Sequence, residues 1–171
     1  MTAEFENAFR LHRLGRTEAA FEAYNAILRK NPQQADALHY SGLLLAQAGQ
    51  NERACQRLEQ AARLAPQVPE IWVNLAHASQ ALNRLADAAG ALQHALALAP
   101  AQPEIWSRLA GLEVRRLAYT EAEQAARRAL ALAPRHGQAW FNLALALQAQ
   151  GKLAEAKQAA NTAHTLLPQE L

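Results

Sequence analysis

Residues 69–102 read PEIWVNLAHASQALNRLADAAGALQHALALAPAQ, and this stretch decides the fold. Pro69 stands where a first-turn proline is tolerated, because its missing N–H would have no intrahelical partner. Trp72, Leu75, Ala76 and Ser79 follow at i, i+3, i+4 and i+7, one mostly apolar helical face. Asn83 then suits a left-handed residue at a helix end. Ala88, Leu92, Ala95 and Leu96 make a second stripe, and Pro100 forbids its continuation. The stretch is therefore a helix A, a short turn and a helix B, with small residues where the two helices cross.

The same pattern fills the chain. Pro32, Pro66, Pro100, Pro134 and Pro168 are spaced by 34 residues, so the 171 residues divide into units 1–34, 35–68, 69–102, 103–136 and 137–170. Small residues recur at Ala8, Gly42, Ala76, Ala110 and Ala144, and again at Ala20, Ala54, Ala88, Ala122 and Ala156. Leu38, Trp72, Trp106 and Trp140 share a bulky column, and the turn column reads Gly15, Gly49, Asn83, Leu117 and Gly151. A fixed period of this length marks a repeat array, in which each unit buries its apolar face only by stacking on neighbours. Breaks are expected near 15–17, 32–35, 49–51, 66–69, 83–85, 100–103, 117–119, 134–137 and 151–153. The turn at Leu117 should be remodelled, because a left-handed φ strains a residue with a side chain. The polar Glu4 and Asn7 in the first repeat's bulky columns give that repeat a capping character.

These columns resemble the tetratricopeptide repeat, whose pattern is Trp, Leu-Gly and Tyr in helix A, then Ala, Phe, Ala and Pro in helix B. The resemblance covers essentially the whole chain. It implies an all-α fold, an alpha-alpha superhelix of five helix-turn-helix repeats forming one array over 1–171. It also implies that the A helices line a concave face that binds peptides or partner helices.

Composition excludes other classes. Hydrophobic residues are 51% and charged residues 19%, and alanine alone is about a quarter of the chain, which favours helix. The formal charge is +2, without a basic tract, so no nucleic-acid partner is expected. The N-terminal residues lack a basic then apolar leader, and an uncharged run as long as any in the chain, Ala88 to Pro103, is too short and too polar for a membrane span. No membrane insertion and a cytoplasmic location are the expectation.

Candidate chemistry is sparse. The single cysteine, Cys55, sits among Ala54, Leu58 and Ala61 as a small buried thiol, and no disulfide framework can form. The six histidines form no H-E-x-x-H motif and no i, i+4 pair, so no metal site and no cofactor are expected. Ser41, Ser79 and Ser107 lack a glycine elbow, and no phosphate loop occurs. The tryptophans belong to the packing column. The reading is a non-catalytic protein.

Function then falls to the helix-A face. Its candidate groove residues are His39, Tyr40, Asn74, His77, Arg108, Arg115, Phe141 and Asn142, with Phe5, Phe9, Ser107 and others along the same columns. Exposed rings and histidines together would be unusual on a merely solvated face. Some members of the family hold a partner's terminal carboxylate with Lys, Asn, Asn, Lys and Arg from three repeats. Asn74 and Arg108 match two of these positions, while His39, Leu43 and Glu104 replace the others, so that mode is not expected. Asn74 and Asn142 also match the asparagine column that binds peptide backbone in O-linked N-acetylglucosamine transferases, although Tyr40 and Arg108 interrupt it.

The expected partner is thus a protein or peptide, acidic rather than basic, held by an amide–cation–amide row of Asn74, Arg108 and Asn142. Self-association through the C-terminal repeat, where His164 replaces an apolar column residue, is a second expectation. The alternative is a substrate-recognition module of a larger bacterial enzyme. The segment ADALHYSGLLLAQAGQNERACQRLEQAARLAP loosely resembles repeats joined to glycosyltransferase, sulfotransferase or hydroxylase domains. A reading frame continuing past Leu171 would favour that alternative.

Overall fold

The structure is a computed structural model in which residues 2–167 are described. Pro168, the last of the proline column, lies outside them. Ten helices follow in order among the described residues: α1 (Ala3–Arg13), α2 (Thr17–Lys30), α3 (Ala35–Gln47), α4 (Asn51–Leu64), α5 (Pro69–Ala81), α6 (Leu85–Leu98), α7 (Pro103–Arg115), α8 (Tyr119–Leu132), α9 (Gly137–Ala149) and α10 (Leu153–Leu166). No strand occurs among the described residues, and every break overlaps the interval that the proline and turn columns predict but begins one residue earlier. The odd-numbered helices are the A helices and the even-numbered ones the B helices.

The B helices stop for a stereochemical reason. Asn31, Ala65 and Ala133 cap α2, α4 and α8 with φ near −135°, and each precedes a proline whose ring disfavours the helical conformation in the residue before it. Pro69 and Pro103 then start α5 and α7. Thr2 opens α1 by accepting the Phe5 N–H on its hydroxyl at 3.3 Å.

The A helices stop differently, and here the structure corrects an expectation. Gly15, Gly49, Asn83, Leu117 and Gly151 all have left-handed φ, at 69°, 73°, 57°, 62° and 77°. In each turn the next residue's N–H returns to a carbonyl five residues back, as in Arg16 to Leu11 at 3.0 Å and Ala118 to Glu113 at 2.9 Å. This bond satisfies a helix-end carbonyl. Leu117 therefore keeps the common turn instead of remodelling it. Its side chain is 69% exposed, so no clash opposes the strained backbone.

The chain divides into two compact units, Met1–Arg84 and Leu85–Leu171. The border falls inside the third repeat, just after Asn83. In the first unit Phe5, Ala8, Ala20, Tyr24, Ile27, Ala37 and Leu44 form one core cluster. Leu38, Ala61, Ala62 and Ile71 form another, against which Trp72 packs. In the second unit Leu109, Leu112, Ala122, Ala126, Ala129, Leu143 and Leu147 are buried.

The tryptophans are packed but not enclosed. The indole N–H of Trp72, Trp106 and Trp140 donates to the carbonyl of Pro66, Pro100 and Pro134 at 3.0, 2.8 and 2.8 Å. Each ring thereby ties helix A to the preceding loop. The constant proline-to-tryptophan spacing of six residues was the signal for it.

Candidate functional site

In the first unit the helix-A residues gather around Tyr40. Its ring centroid lies 5.8 Å from Phe5, 5.1 Å from Phe9, 5.9 Å from Tyr24, 5.7 Å from His12 and 4.9 Å from His39. Phe5, assigned to the groove by column counting, is 2% exposed and belongs to the core. Phe9 and Tyr40 are half-buried against the same cluster. The expected open display of rings is thus a packed aromatic cluster linking α1, α2 and α3. Tyr24 is fully buried with its hydroxyl 3.5 Å from His12 Nδ1, and burial pushes the Tyr24 hydroxyl well up and the His12 imidazole down.

His39 is only 7% exposed, and Asn74, one repeat on, donates from Nδ2 to its Nε2 at 2.8 Å. Burial lowers the His39 pKa more than the neighbouring carboxylates of Asp36 and Glu70 raise it. Asn74 is half-buried and His77 exposed.

One feature of this unit escaped sequence reading. Arg57 stands in a column otherwise filled by Ala23, Ala91, Ala125 and Ala159. Its guanidinium donates to Ser41 Oγ at 2.8 Å and Asn25 Oδ1 at 2.9 Å, and lies 6.0 Å over the Phe21 ring. It ties α2, α3 and α4 together. Gly42 gives the room: a Cβ there would meet Leu58 Cγ at 2.9 Å and Arg57 Cβ at 3.2 Å. Cys55 is buried, its Sγ lies 3.7 Å from Ser79 Oγ, and burial pushes the thiol up, which disfavours the reactive thiolate.

In the second unit Asn142 is 4% exposed and fully engaged. Its Nδ2 donates to the Ser107 carbonyl at 2.9 Å, and its Oδ1 accepts from Gln138 Nε2 at 3.3 Å. Gly111 leaves space for it, since a Cβ there would stand 3.3 Å from Asn142 Nδ2. Asn142 therefore ties α9 to α7. Ser107 is also buried, and its Oγ has no hydrogen-bond partner.

Arg108 differs. It is half-buried, with neither ion pair nor hydrogen bond among the described residues, and burial alone lowers its pKa. Phe141 is 43% exposed, and Arg115 and Glu104 are exposed.

Two carboxylates of this unit, Glu113 and Glu123, are paired within the fold. Glu113 is 2% exposed in a column holding Leu11, Leu45, Ser79 and Leu147. Both of its carboxylate oxygens accept from Arg116 Nη1, at 3.0 and 2.8 Å, yet burial still raises its pKa. Glu123 receives Lys152, Arg127 and Gln150, and its pKa falls to about 2, with the Lys152 bond as the largest cause. Among the described residues no group of three or more His, Cys, Asp or Glu could hold a metal ion. Among the described residues no helix is long and apolar enough to cross a membrane.

Comparison with known proteins follows this architecture. Sequence profiles of the tetratricopeptide repeat match residues 10–69, 45–112 and 125–158. A crystal structure of MamA is 21% identical with a TM-score of 0.86, covering 96% of this chain and 94% of that one. A MamA fragment from Desulfovibrio magneticus RS-1 is 18% identical with a TM-score of 0.86, covering 97% and 96%. YrrB, described as a TPR protein with an unusual peptide-binding site, is 18% identical with a TM-score of 0.90, covering 98% and 86%. No curated protein matches the chain. Five helix pairs with one turn geometry, and profile matches over most of their length, show that the chain belongs to the tetratricopeptide repeat family.

Proposed function

We propose that the protein is a non-catalytic interaction scaffold whose helix-A faces bind an extended or helical segment of a partner protein in the cytoplasm. Family membership supports this, and so does the peptide-binding site of the similarly folded YrrB. The observation that carries the reading is Arg108. A half-buried guanidinium without an anion has lost part of its hydration and gained nothing in return. A carboxylate of the partner offers it a bidentate, charge-assisted pair. The exposed Phe141, one repeat further along the adjoining column, offers apolar contact in the same unit.

Each unit presents its own candidate binding groups. In the first, Asn74, His77 and Tyr40 present an amide, an imidazole and part of a phenol. In the second, Arg108, Arg115 and Phe141 present cations and a ring. Asn142 and His39 serve by holding their neighbours. The onward face of α10 carries Lys157, Asn161 and His164, all exposed. That polarity disfavours self-association through this face.

The test is capture of an array of acidic, neutral and basic peptides by the full chain. Acidic peptides should be retained, and Arg108→Ala should lose them with melting temperature unchanged. Gln93→Ala, on a B helix, should bind as the parent does. Equal retention by Arg108→Ala and the parent, or preference for basic peptides, would overturn the reading.

A further inference from the structure

The Asn74 side chain is held at one end only. Its Nδ2 donates to His39 Nε2 at 2.8 Å, whereas its Oδ1 has no partner among the described residues. An imidazole nitrogen that accepts carries a lone pair, so the proton of the neutral His39 ring sits on Nδ1. A protonated ring has a donor at Nε2, which would face the amide NH2 donor-to-donor. The cheapest relief is a half-turn of the Asn74 amide, which brings Oδ1 to the ring and turns Nδ2 away.

We infer that His39 is a positioning residue that sets the polarity of Asn74: neutral, it holds the NH2 and leaves Oδ1 as an acceptor for a peptide backbone N–H, and protonated, it reverses the amide so that a donor is presented instead. The consequence for ligand choice rests on the peptide-binding reading above, but the device itself does not.

The surroundings make the two states distinct. His39 is 7% exposed and its ring packs at 4.9 Å from Tyr40. The charges that act on it are Asp36 on its own helix, Glu70 on α5 and His12 on α1, and α4 contributes none. Tyr24 on α2 stacks behind Tyr40 at 5.9 Å and is held as a neutral phenol by burial. The two carboxylates favour the protonated ring, while burial and His12 oppose it, burial most strongly. Asn74 is the side chain the described contacts place on Nε2.

Nitrogen-15 spectra of the full chain, recorded from pH 8 to pH 4.5 without ligand, test this. His39 should show the Nδ1–H tautomer at neutral pH and titrate below the ordinary imidazole value of about 6.5. The Asn74 side-chain NH2 signals should shift with the same midpoint. His39→Phe, matching Phe5 and Phe141 of its column, should abolish that pH dependence. His39→Gln, which keeps an acceptor without titrating, should leave the Asn74 signals constant from pH 8 to 4.5. An Nε2–H tautomer at neutral pH, or Asn74 signals that do not follow the His39 titration, would overturn the inference. A peptide array that captures nothing would defeat the binding reading and leave these spectra to decide this one. Where peptides are captured, Asn74-dependent retention should change between pH 7.5 and pH 5 in the parent but not in His39→Phe.

Discussion

Leu117 holds a left-handed backbone that its neighbours in the turn column give to glycine or asparagine. That conformation costs an ordinary L-residue roughly 1–2 kcal/mol, and an exposed side chain recovers little by packing. Leu117→Gly should therefore stabilise the protein by ~0.5–1 kcal/mol, the strain relieved less the extra freedom of glycine in the unfolded chain. Asn83→Gly should change stability far less, because asparagine tolerates this region. Urea midpoints of the two variants check the contrast. Sequence reading located this turn but misjudged its geometry. It weighed the local strain and missed the return bond from Ala118 to Glu113, which the helix end gains only in that conformation. His12 and His39 give a second residue-scale prediction. Burial holds both folded-state pKa values below the unfolded value of about 6.5. The unfolded chain then binds more protons, so their contribution falls as pH drops through that value and stops changing below the folded pKa values. Denaturation midpoints at pH 7.5 and pH 5 should differ by less in His39→Phe than in the parent, which separates the imidazole from the carboxylates.

Within single helices, the small-residue columns were the most legible part of the sequence. Ala88 in α6 and Ala122 in α8 are both fully buried, whereas Ala101 lies exposed in a loop. Ala88→Leu and Ala122→Leu should each cost on the order of 1–3 kcal/mol by overpacking. Ala101→Leu should cost little, and urea unfolding distinguishes the two classes. The exceptions within columns were not legible, because one period cannot say how a misfit residue is accommodated. Arg57 in an alanine column finds Ser41, Asn25 and the space over Gly42 from other helices. Glu113 in a largely leucine column finds Arg116 one turn on. A buried carboxylate paired to a partly exposed arginine pays desolvation that a leucine would not. Glu113→Leu should accordingly raise stability by about 1 kcal/mol or more, while Glu113→Ala, which leaves a cavity, should not. Thermal melts of the two variants decide it. The candidate groove was half legible for the same reason. Column counting found Asn74, Arg108 and Asn142, but only tertiary contacts show that Asn142 is used up internally and Arg108 is not.

Across the whole chain, repetition means that stability is assembled from neighbours instead of one shared core. The first compact unit holds two buried clusters, the second buries residues such as Leu109, Leu112, Ala122 and Leu143, and the border lies at the third repeat's turn. A lesion should then weaken its own surroundings more than distant ones. The tryptophans allow this to be measured, since Trp72 lies in the first unit and Trp140 in the second. Replacing Trp106 and one of the other two with Phe leaves a single reporter. Each replacement forfeits an indole bond to a proline carbonyl, which costs about 1 kcal/mol and must be referenced to the same background. Into each background goes Ala122→Leu, which overpacks the second unit. In urea the Trp140 fluorescence transition should move to lower denaturant by more than the Trp72 transition. Under a single all-or-none transition both reporters would move together. Divergence is the expected result, because the fourth and fifth repeats share helix contacts with Ala122 while Trp72 is anchored by Leu38, Ala61, Ala62 and Ile71. Identical shifts in both backgrounds would show that the units are coupled more tightly than nearest-neighbour stacking supplies.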